Sequence, residues 1–320
     1  MRILIVKTSS LGDLVHTLPA VTDAIRARPE LHFDWLSEKA FAEIPGWHPA
    51  VQHVIPCEMR RWRKNLWKTW RSGEWQVFRK LLRENSYDLV LDAQGLFKSA
   101  FLATQARGPI AGNAREKTAS LLYERAITIP RNDHAVDRQR NLFAQALGYT
   151  LPVSAPDFGL NQACFVRPDL PPRYAVFLHA TTWPTKCWPE TQWQELGRWL
   201  GQQGLAVALP WGNEDERIAA ERIATVFGGV VLPRMNLTAM AGVLAHAQVV
   251  VGVDTGLSHL AAAVNTPSVT LYGPTLPGLT GTVGEHQIHL CSSEAKTVDR
   301  ARPTTVTTVR VQAVLQNILR

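Results

Sequence analysis

A chain of 320 residues is long enough for two domains of ordinary size. With 46% hydrophobic and 19% charged residues it has the make-up of a packed globular protein, which excludes a disordered polymer. Lys and Arg number 34 against 27 Asp and Glu, for a net charge of +7. Such an excess suits nucleic acid, an anionic membrane surface or an acidic substrate, so its location matters more than its size.

Cys57, Cys164, Cys187 and Cys291 lie far apart with no CxxC pair, which argues against a disulfide framework or a cysteine zinc site and for a reducing compartment. No apolar run approaches the ~18–20 residues needed to cross a bilayer. The opening run Met1 to Val6 turns polar at Lys7, too short for a signal-peptide core and suited to a buried first strand. A cytoplasmic protein is expected.

Short apolar runs then alternate with helical patterns. Strands are predicted at Arg2 to Lys7, Phe33 to Ser37, Val51 to Pro56 and Leu89 to Asp92, and again at Tyr174 to His179, Leu205 to Leu209, Gly229 to Leu232, Val249 to Val253 and Ser268 to Tyr272. Helices are predicted at Leu14 to Arg28, Trp75 to Glu84, Pro189 to Gln203, Asp215 to Phe227 and Val309 to Arg320. Strands apolar on both faces, separated by helices, mean an α/β fold with covered parallel sheets. The alternation breaks at Leu151 to Arg173, which holds five prolines and no periodicity and reads as a linker. Two α/β domains, 1–160 and 161–320, follow, and such folds bind ligands in clefts and at the carboxyl ends of their strands.

Three strand-to-helix turns carry chemistry. The first, Lys7-Thr8-Ser9-Ser10-Leu11-Gly12-Asp13, offers free backbone N–H groups and a carboxylate at its mouth; the alternative for Asp13 is a helix cap. The second is Phe177 to Thr182 followed by Lys186-Cys187-Trp188-Pro189. Thr181, Thr182 and Lys186 suit a diphosphate cradle, against a plain polar loop with a solvated lysine. The third, Val249 to Ala263, ends a strand at Asp254 and starts an Ala-rich helix after Thr255-Gly256, with His259 either donating to a phosphate or sugar or packed on the sheet. Tyr272, before a Gly-Pro turn, reads as ordinary loop chemistry. There is no G-x-G-x-x-G, P-loop, H-E-x-x-H or G-x-S-x-G, so hydride transfer on a conventional dinucleotide fingerprint, P-loop ATP hydrolysis and a nucleophile-elbow esterase lose their main support.

The charge is concentrated. Glu58 to Arg71 holds Arg60, Arg61, Arg63, Lys64, Lys68 and Arg71 against Glu58 alone, so 14 residues account for +5 of the +7. Trp62, Trp67 and Trp70 are interleaved, with Trp75 following. Basic residues with tryptophans suit an anionic membrane interface or acidic amphiphile. Stacking on single-stranded nucleic acid and a solvated helix face with packed tryptophans are the alternatives.

Taken together, KTSSLGDLVHTLPA (7–20), RRWRK (60–64), DAQGLFKSA (92–100), FLHATT (177–182) with Lys186, LPWGNEDER (209–217) and VGVDTGLSHLAAA (251–263) resemble the ADP-heptose:lipopolysaccharide heptosyltransferases of glycosyltransferase family 9. The resemblance spans essentially the whole chain. The Lys7 to Ser10 turn is similar to the type I enzymes; type II enzymes typically carry a Gly-Pro-Ser-Trp kind of sequence there.

The resemblance implies a GT-B fold: two Rossmann-like domains facing a cleft, the last helix packing back on the first domain. It implies an inverting transfer of L-glycero-D-manno-heptose from ADP-L-glycero-β-D-manno-heptose, bound by the C-terminal domain, to Kdo2-lipid A, bound by the N-terminal domain at the cytoplasmic face of the inner membrane. No metal or other cofactor is implied. Asp13 takes the position of the base, and Lys186 of the cation that stabilises departing ADP. Thr181, Thr182, Glu216, Met235, Asp254, Thr255, Gly256 and His259 match donor-site positions. Ser10, Arg60, Arg61, Arg63, Lys64, Lys98 and Arg115 match acceptor contacts. The loop Trp183-Pro184-Thr185 departs from the acidic version of the type I enzymes, and the region after Gly108 is shorter.

Two other functions stand beside this one. A nucleotide-sugar epimerase of the GT-B type would convert donor with no acceptor present. A basic nucleic-acid-binding protein would show salt-dependent affinity for oligonucleotides and leave the turns at Asp13, Lys186 and Asp254 without a role; no nucleic-acid partner is expected.

Overall fold

Ile3, Leu4, Ile5 and Val6 have no exposed surface, because β1 (Arg2–Val6) lies between parallel neighbours and is covered on both faces. The same pattern recurs throughout a computed structural model that describes residues 1–292 and 297–320, the side chains of Leu66 and Lys68 excepted. The chain divides into two compact units, Met1–Leu160 and Asn161–Arg320, at a boundary inside the proline-rich window.

The first unit holds β1, β2 (His32–Glu38), β3 (Val51–Cys57), β4 (Leu89–Asp92), β5 (Ile110–Asn113) and β6 (Arg125–Ile127) in the order β3-β2-β1-β4-β5-β6. The second holds β7 (Tyr174–Leu178), β8 (Ala206–Leu209), β9 (Val230–Val231), β10 (Val249–Val253), β11 (Ser268–Tyr272) and β12 (Gln287–Cys291) in the order β12-β11-β10-β7-β8-β9. The two windings are the same: each unit's first strand lies centrally, the chain builds outward to one edge, then crosses to the other side. The order therefore reverses between β1 and β4 and between β7 and β10. Diverging loops leave a crevice at such a point, outside the carboxyl ends of the strands.

Burial of large side chains anchors each sheet. In the first unit Trp62, Phe78, Leu82, Tyr87 and Leu102 cover Leu4, Val6, Leu36 and Val90. In the second, Trp188, Trp193, Leu196, Leu200 and Ile223 cover Phe177, Val207, Val251 and Val269. Each contributes on the order of 1.5–3 kcal/mol by leaving water. Trp193 sits 4.8 Å, centroid to centroid, from both Phe177 and Trp188. Gly197 admits Phe227 to this cluster, since a Cβ there would lie 2.3 Å from the ring.

Some expectations change. The helix predicted from Leu14 to Arg28 is two helices, Leu11–Val15 and Leu18–Ala27, because Pro19 has no N–H to continue the ladder and suits a helix start instead. The strands β5, β6 and β12 escape an apolar-run reading: Gly112, Asn113, Gln287 and His289 dilute them, and pairing to a formed sheet supplies what the local pattern lacks. The last helix, Thr308–Ile318, buries Val311 and Leu315 in the core of the second unit and packs on the helix Glu190–Gln202 and on β11. Its apolar stripe is taken up there, and Thr308 donates to Gln192 and Glu195.

Candidate active site

At the reversal point of the first sheet, β1 runs directly into a lysine. Lys7 is buried and donates to the Ala93 carbonyl at 3.1 Å, tying the end of β1 to the loop after β4. Thr8 completes the tie through its N–H and hydroxyl, both 2.9 Å from Gln94 Oε1. Asp92 organises the rest of that loop, accepting from Gln94 N, Gly95 N, Ser99 Oγ and Tyr123 OH. Burial raises the pKa of Asp92 despite these bonds.

Asp13 sits in the third position of the helix Leu11–Val15, and Ser10, not Asp13, is the N-cap residue. Ser10 donates to Asp13 Oδ2 through its N–H at 2.8 Å and its hydroxyl at 2.7 Å. One carboxylate oxygen is thus used by the cap, and Asp13 Oδ1 has no part in it. Burial pushes the carboxyl up, but the Lys7 ammonium, the two Ser10 bonds and His16 outweigh it and hold the group below the ordinary aspartate value. Burial also lowers Lys7, partly offset by Asp13 and Asp92, with Arg115 and Arg138 pushing it further down. Lys7, Asp13, Arg115 and Arg138 therefore share one electrostatic environment. Arg115 is brought there because Gly95, at φ +70°, lets the loop after β4 pack directly on Asn113 and Arg115; a Cβ would lie 2.7 Å from the Asn113 carbonyl.

Sequence reasoning assigned Lys7 and Arg138 no role. A lysine closing a buried apolar strand is itself a signal, since lysines are seldom fully buried without a partner. Arg138 gave none, because it reaches the group from the helix Ala135–Leu147 through tertiary packing alone.

At the reversal point of the second sheet, Lys186 is paired rather than solvated. Its Nζ lies 2.7 Å from Asp254 Oδ2 and 3.4 Å from the Asp254 carbonyl. Thr275 donates to the same Oδ2 at 2.6 Å, and His259 Nε2 lies 3.6 Å from Oδ1. Burial would raise the Asp254 carboxyl, but His259 and Lys186 more than compensate and hold it well below the usual range. Thr255 is the N-cap of the helix Gly256–Ala263 without using its own side chain for the cap. Gly252 allows this helix to sit close to the strand ends, since a Cβ there would lie 2.7 Å from Ser258 Oγ and 2.9 Å from Leu178 Cβ.

Thr181 and Thr182 follow β7 directly, half-buried and exposed. Glu216 is committed locally: it accepts from Gly212 N at 2.7 Å and from Asn213 Nδ2 at 2.8 Å, while Asn213 Oδ1 caps its N–H at 3.0 Å. It shapes the loop after β8, and its carbonyl faces His179 Nε2 at 3.2 Å. Met235, half-buried, follows β9, which the Trp211 indole joins to the same loop through the Leu232 carbonyl. Tyr272 is buried and accepts from Thr282 N, a structural part.

The basic segment divides. Arg61 is held in ion pairs with Glu58 and Glu74, so its charge is largely used within the unit. Arg60 lies over the Phe41 ring, 5.4 Å from its centroid. Arg63 and Lys98 line a groove of about 450 Å³ with Met59, Leu96, Phe97, Phe101 and Glu116. Lys64 is exposed, and the Lys68 side chain lies outside the described residues. Trp62 is buried against Trp75 and Phe78, whereas Trp67 and Trp70 are 66% and 65% exposed. Both the packing and the surface readings of the tryptophans thus apply, to different residues. Among the described residues no group of three or more His, Cys, Asp or Glu is arranged to hold a metal ion, and no helix is long and apolar enough to cross a membrane.

Two doubly wound units with titratable residues gathered at their reversal points are the architecture of a GT-B glycosyltransferase. The family model of glycosyltransferase family 9 (heptosyltransferase) matches residues 75–309, and the chain belongs to that family. It is 54% identical over 298 residues to lipopolysaccharide heptosyltransferase 1 of Pseudomonas aeruginosa, covering 91% of this chain and 84% of that protein. It is 47% identical to lipopolysaccharide heptosyltransferase 1 of Escherichia coli K12 over 99% of each. Among solved structures it is similar to E. coli heptosyltransferase WaaC with ADP, at TM-score 0.92 and 45% identity over 99% of this chain and 100% of that one. With WaaC bound to ADP-2-deoxy-2-fluoro heptose the TM-score is 0.87 at the same identity, over 99% of each chain.

Proposed function

We propose that this glycosyltransferase moves L-glycero-D-manno-heptose from ADP-heptose to the Kdo2-lipid A inner core, with inversion at the anomeric carbon. Family membership and the relatives named above support heptose transfer in lipopolysaccharide core synthesis. The observation that carries the reading at the site is the buried Lys186–Asp254 pair at the second reversal point, where Thr181, Thr182 and the start of the helix Gly256–Ala263 also lie. A lysine ammonium and free helix N–H groups suit a diphosphate.

In this scheme the second unit binds the donor and the first binds the acceptor. The acceptor hydroxyl attacks the anomeric carbon and the bond to ADP breaks. Asp13, ionised by Lys7 and Ser10, takes the hydroxyl proton, a role worth ~10²–10⁴ in rate. Charge growing on the leaving diphosphate is met by Lys186 and the helix start at Thr255-Gly256. Asp254 and His259 set the position of that lysine. Glu216 and Met235 flank the nucleoside, Glu216 mainly by fixing the loop Gly212-Asn213.

The acceptor is anionic, so Arg60, Arg63, Lys64 and Lys98 meet its phosphates and carboxylates, with Ser10 and Arg115 nearer the reacting hydroxyl. Arg61 joins them less directly, since Glu58 and Glu74 hold it. Exposed Trp67 and Trp70 beside these cations suit peripheral attachment to the cytoplasmic face of an anionic inner membrane. The chemistry proposed here uses side chains and backbone N–H groups of the protein.

The deciding experiment is transfer from ADP-heptose to Kdo2-lipid A, followed as ADP release, with ADP-glucose and GDP-mannose as control donors. Release with ADP-heptose that requires the acceptor supports the reading. Donor conversion without acceptor would make the protein an epimerase.

A further inference from the structure

The loop that carries Lys186 is clasped by a distant segment. Thr185 donates through Oγ1 to the Arg300 carbonyl at 2.8 Å. Thr304 returns the contact, with its N–H 3.0 Å from the Thr185 carbonyl and its hydroxyl 3.0 Å from the Lys186 carbonyl. The same segment grips the turn after β11. Asp299 N–H reaches the Pro274 carbonyl at 3.0 Å, and Gly273 lies so close to Thr304 that a Cβ would be 2.6 Å from its hydroxyl. That second turn carries Thr275, which donates to Asp254. Residues 299–304 thus bind both loops whose side chains meet in the Lys186–Asp254 pair.

The clasp ends in one aromatic ring. Trp183 has the Arg300 guanidinium 4.4 Å from its centroid and the Lys186 ammonium 4.8 Å from it. Two cations share its π cloud. A lysine held only by Asp254 keeps rotational freedom on its long stem; a ring beside it removes much of that freedom before the ligand arrives. Trp183 is itself half-buried and anchored by Arg300, which is exposed and makes no other use of its guanidinium among the described contacts.

We propose that Arg300 and Trp183 are positioning residues of the donor site, acting through Lys186 on the diphosphate of the sugar nucleotide. The proposal rests on the reading of Lys186 as the diphosphate-binding cation. Its signature is dependence on phosphate. A misplaced lysine weakens binding of the phosphates, while the nucleoside pocket near Glu216 and Met235, built from other loops, stays as it was.

The test measures adenosine, AMP and ADP binding by calorimetry to the wild-type chain and to Lys186→Ala, Arg300→Ala, Arg300→Lys, Trp183→Ala and Trp183→Phe. Exposed to partly desolvated cation–π contacts are worth roughly 0.5–2 kcal/mol, so Arg300→Ala and Trp183→Ala should each weaken ADP binding about 2- to 30-fold and leave adenosine unchanged. Trp183→Phe and Arg300→Lys should recover most of the affinity, and the donor KM should rise more than kcat falls. Equal losses for adenosine and ADP, or wild-type ADP affinity in both alanine variants, would overturn the proposal. Wild-type ADP affinity in Lys186→Ala would instead overturn the underlying reading of the lysine.

Discussion

The ammonium of Lys186 lies 2.7 Å from the carboxylate of Asp254, with the two side chains only 15% and 7% exposed. A buried pair of this kind is costly to break from one side, because the remaining charge stays desolvated. In the proposed function it exchanges partners, the diphosphate of the donor offering the lysine a second anion.

Replacing Lys186 by Ala should therefore lower stability by about 3–5 kcal/mol and weaken both donor affinity and turnover. Combining it with Asp254→Asn should cost less than the sum of the single changes, because the uncompensated carboxylate is gone. Thermal unfolding and donor kinetics on the four proteins check this, and unchanged kinetics in Lys186→Ala would remove it from the site. Asp254 also carries a pH signature. Its pKa is depressed in the folded state, so the stability it contributes is present above the unfolded value of about 3.9 and is lost as pH falls through that value towards the folded one. Asp254→Asn should flatten that acid loss.

Asp13→Ala should abolish heptose transfer while ADP-heptose binding, measured by calorimetry, survives. The expected fall in kcat is at least ~10²-fold. Full activity would refute the base assignment, and lost donor binding would move Asp13 into the donor site.

Lys7 favours the ionised form of the Asp13 carboxyl. Removing its charge in Lys7→Met leaves burial opposed mainly by the Ser10 bonds, so the Asp13 pKa rises. Only the carboxylate accepts the proton, hence the acid limb of kcat should move up towards neutral pH. In the wild-type chain the Asp13 limb lies below the ordinary aspartate value, and activity attributable to it should be flat above about pH 5. Superimposable profiles for the two proteins would show that Lys7 does not tune Asp13.

The basic segment should separate by residue. Charge reversal at Arg63 or Lys98 should raise the acceptor KM far more than the donor KM and leave the melting temperature in place. Arg61→Glu should lower the melting temperature, because it faces Glu58 and Glu74 with like charge.

The tryptophans should separate too. Trp67→Ser with Trp70→Ser should reduce sedimentation with anionic vesicles at unchanged stability, while Trp62→Ala should cost roughly 3–5 kcal/mol as an emptied core position. Vesicle binding unaffected by the Trp67 and Trp70 changes would end the membrane reading of this surface.

Much of the molecule was legible in one dimension. Strands buried on both faces leave apolar runs, and helices between them leave periodic ones, so the α/β class and most elements follow from local pattern alone. Asp13, Lys186 and Asp254 stood out because each lies in a polar stretch between an apolar strand and a helix, where such folds place ligands. What pattern could not show is which ends meet. The reversal of strand order brings Lys186 to Asp254 across 68 positions of sequence and puts Arg115 and Arg138 around Lys7 and Asp13. It spent Arg61 and Glu216 on local partners, buried Trp62 while leaving Trp67 and Trp70 outside, and set Val311 and Leu315 of the last helix into the core of the second unit. Local order is written in periodicity because it depends on neighbours a few residues away. Partner choice, burial and charge state depend on groups that only the wound sheet brings together.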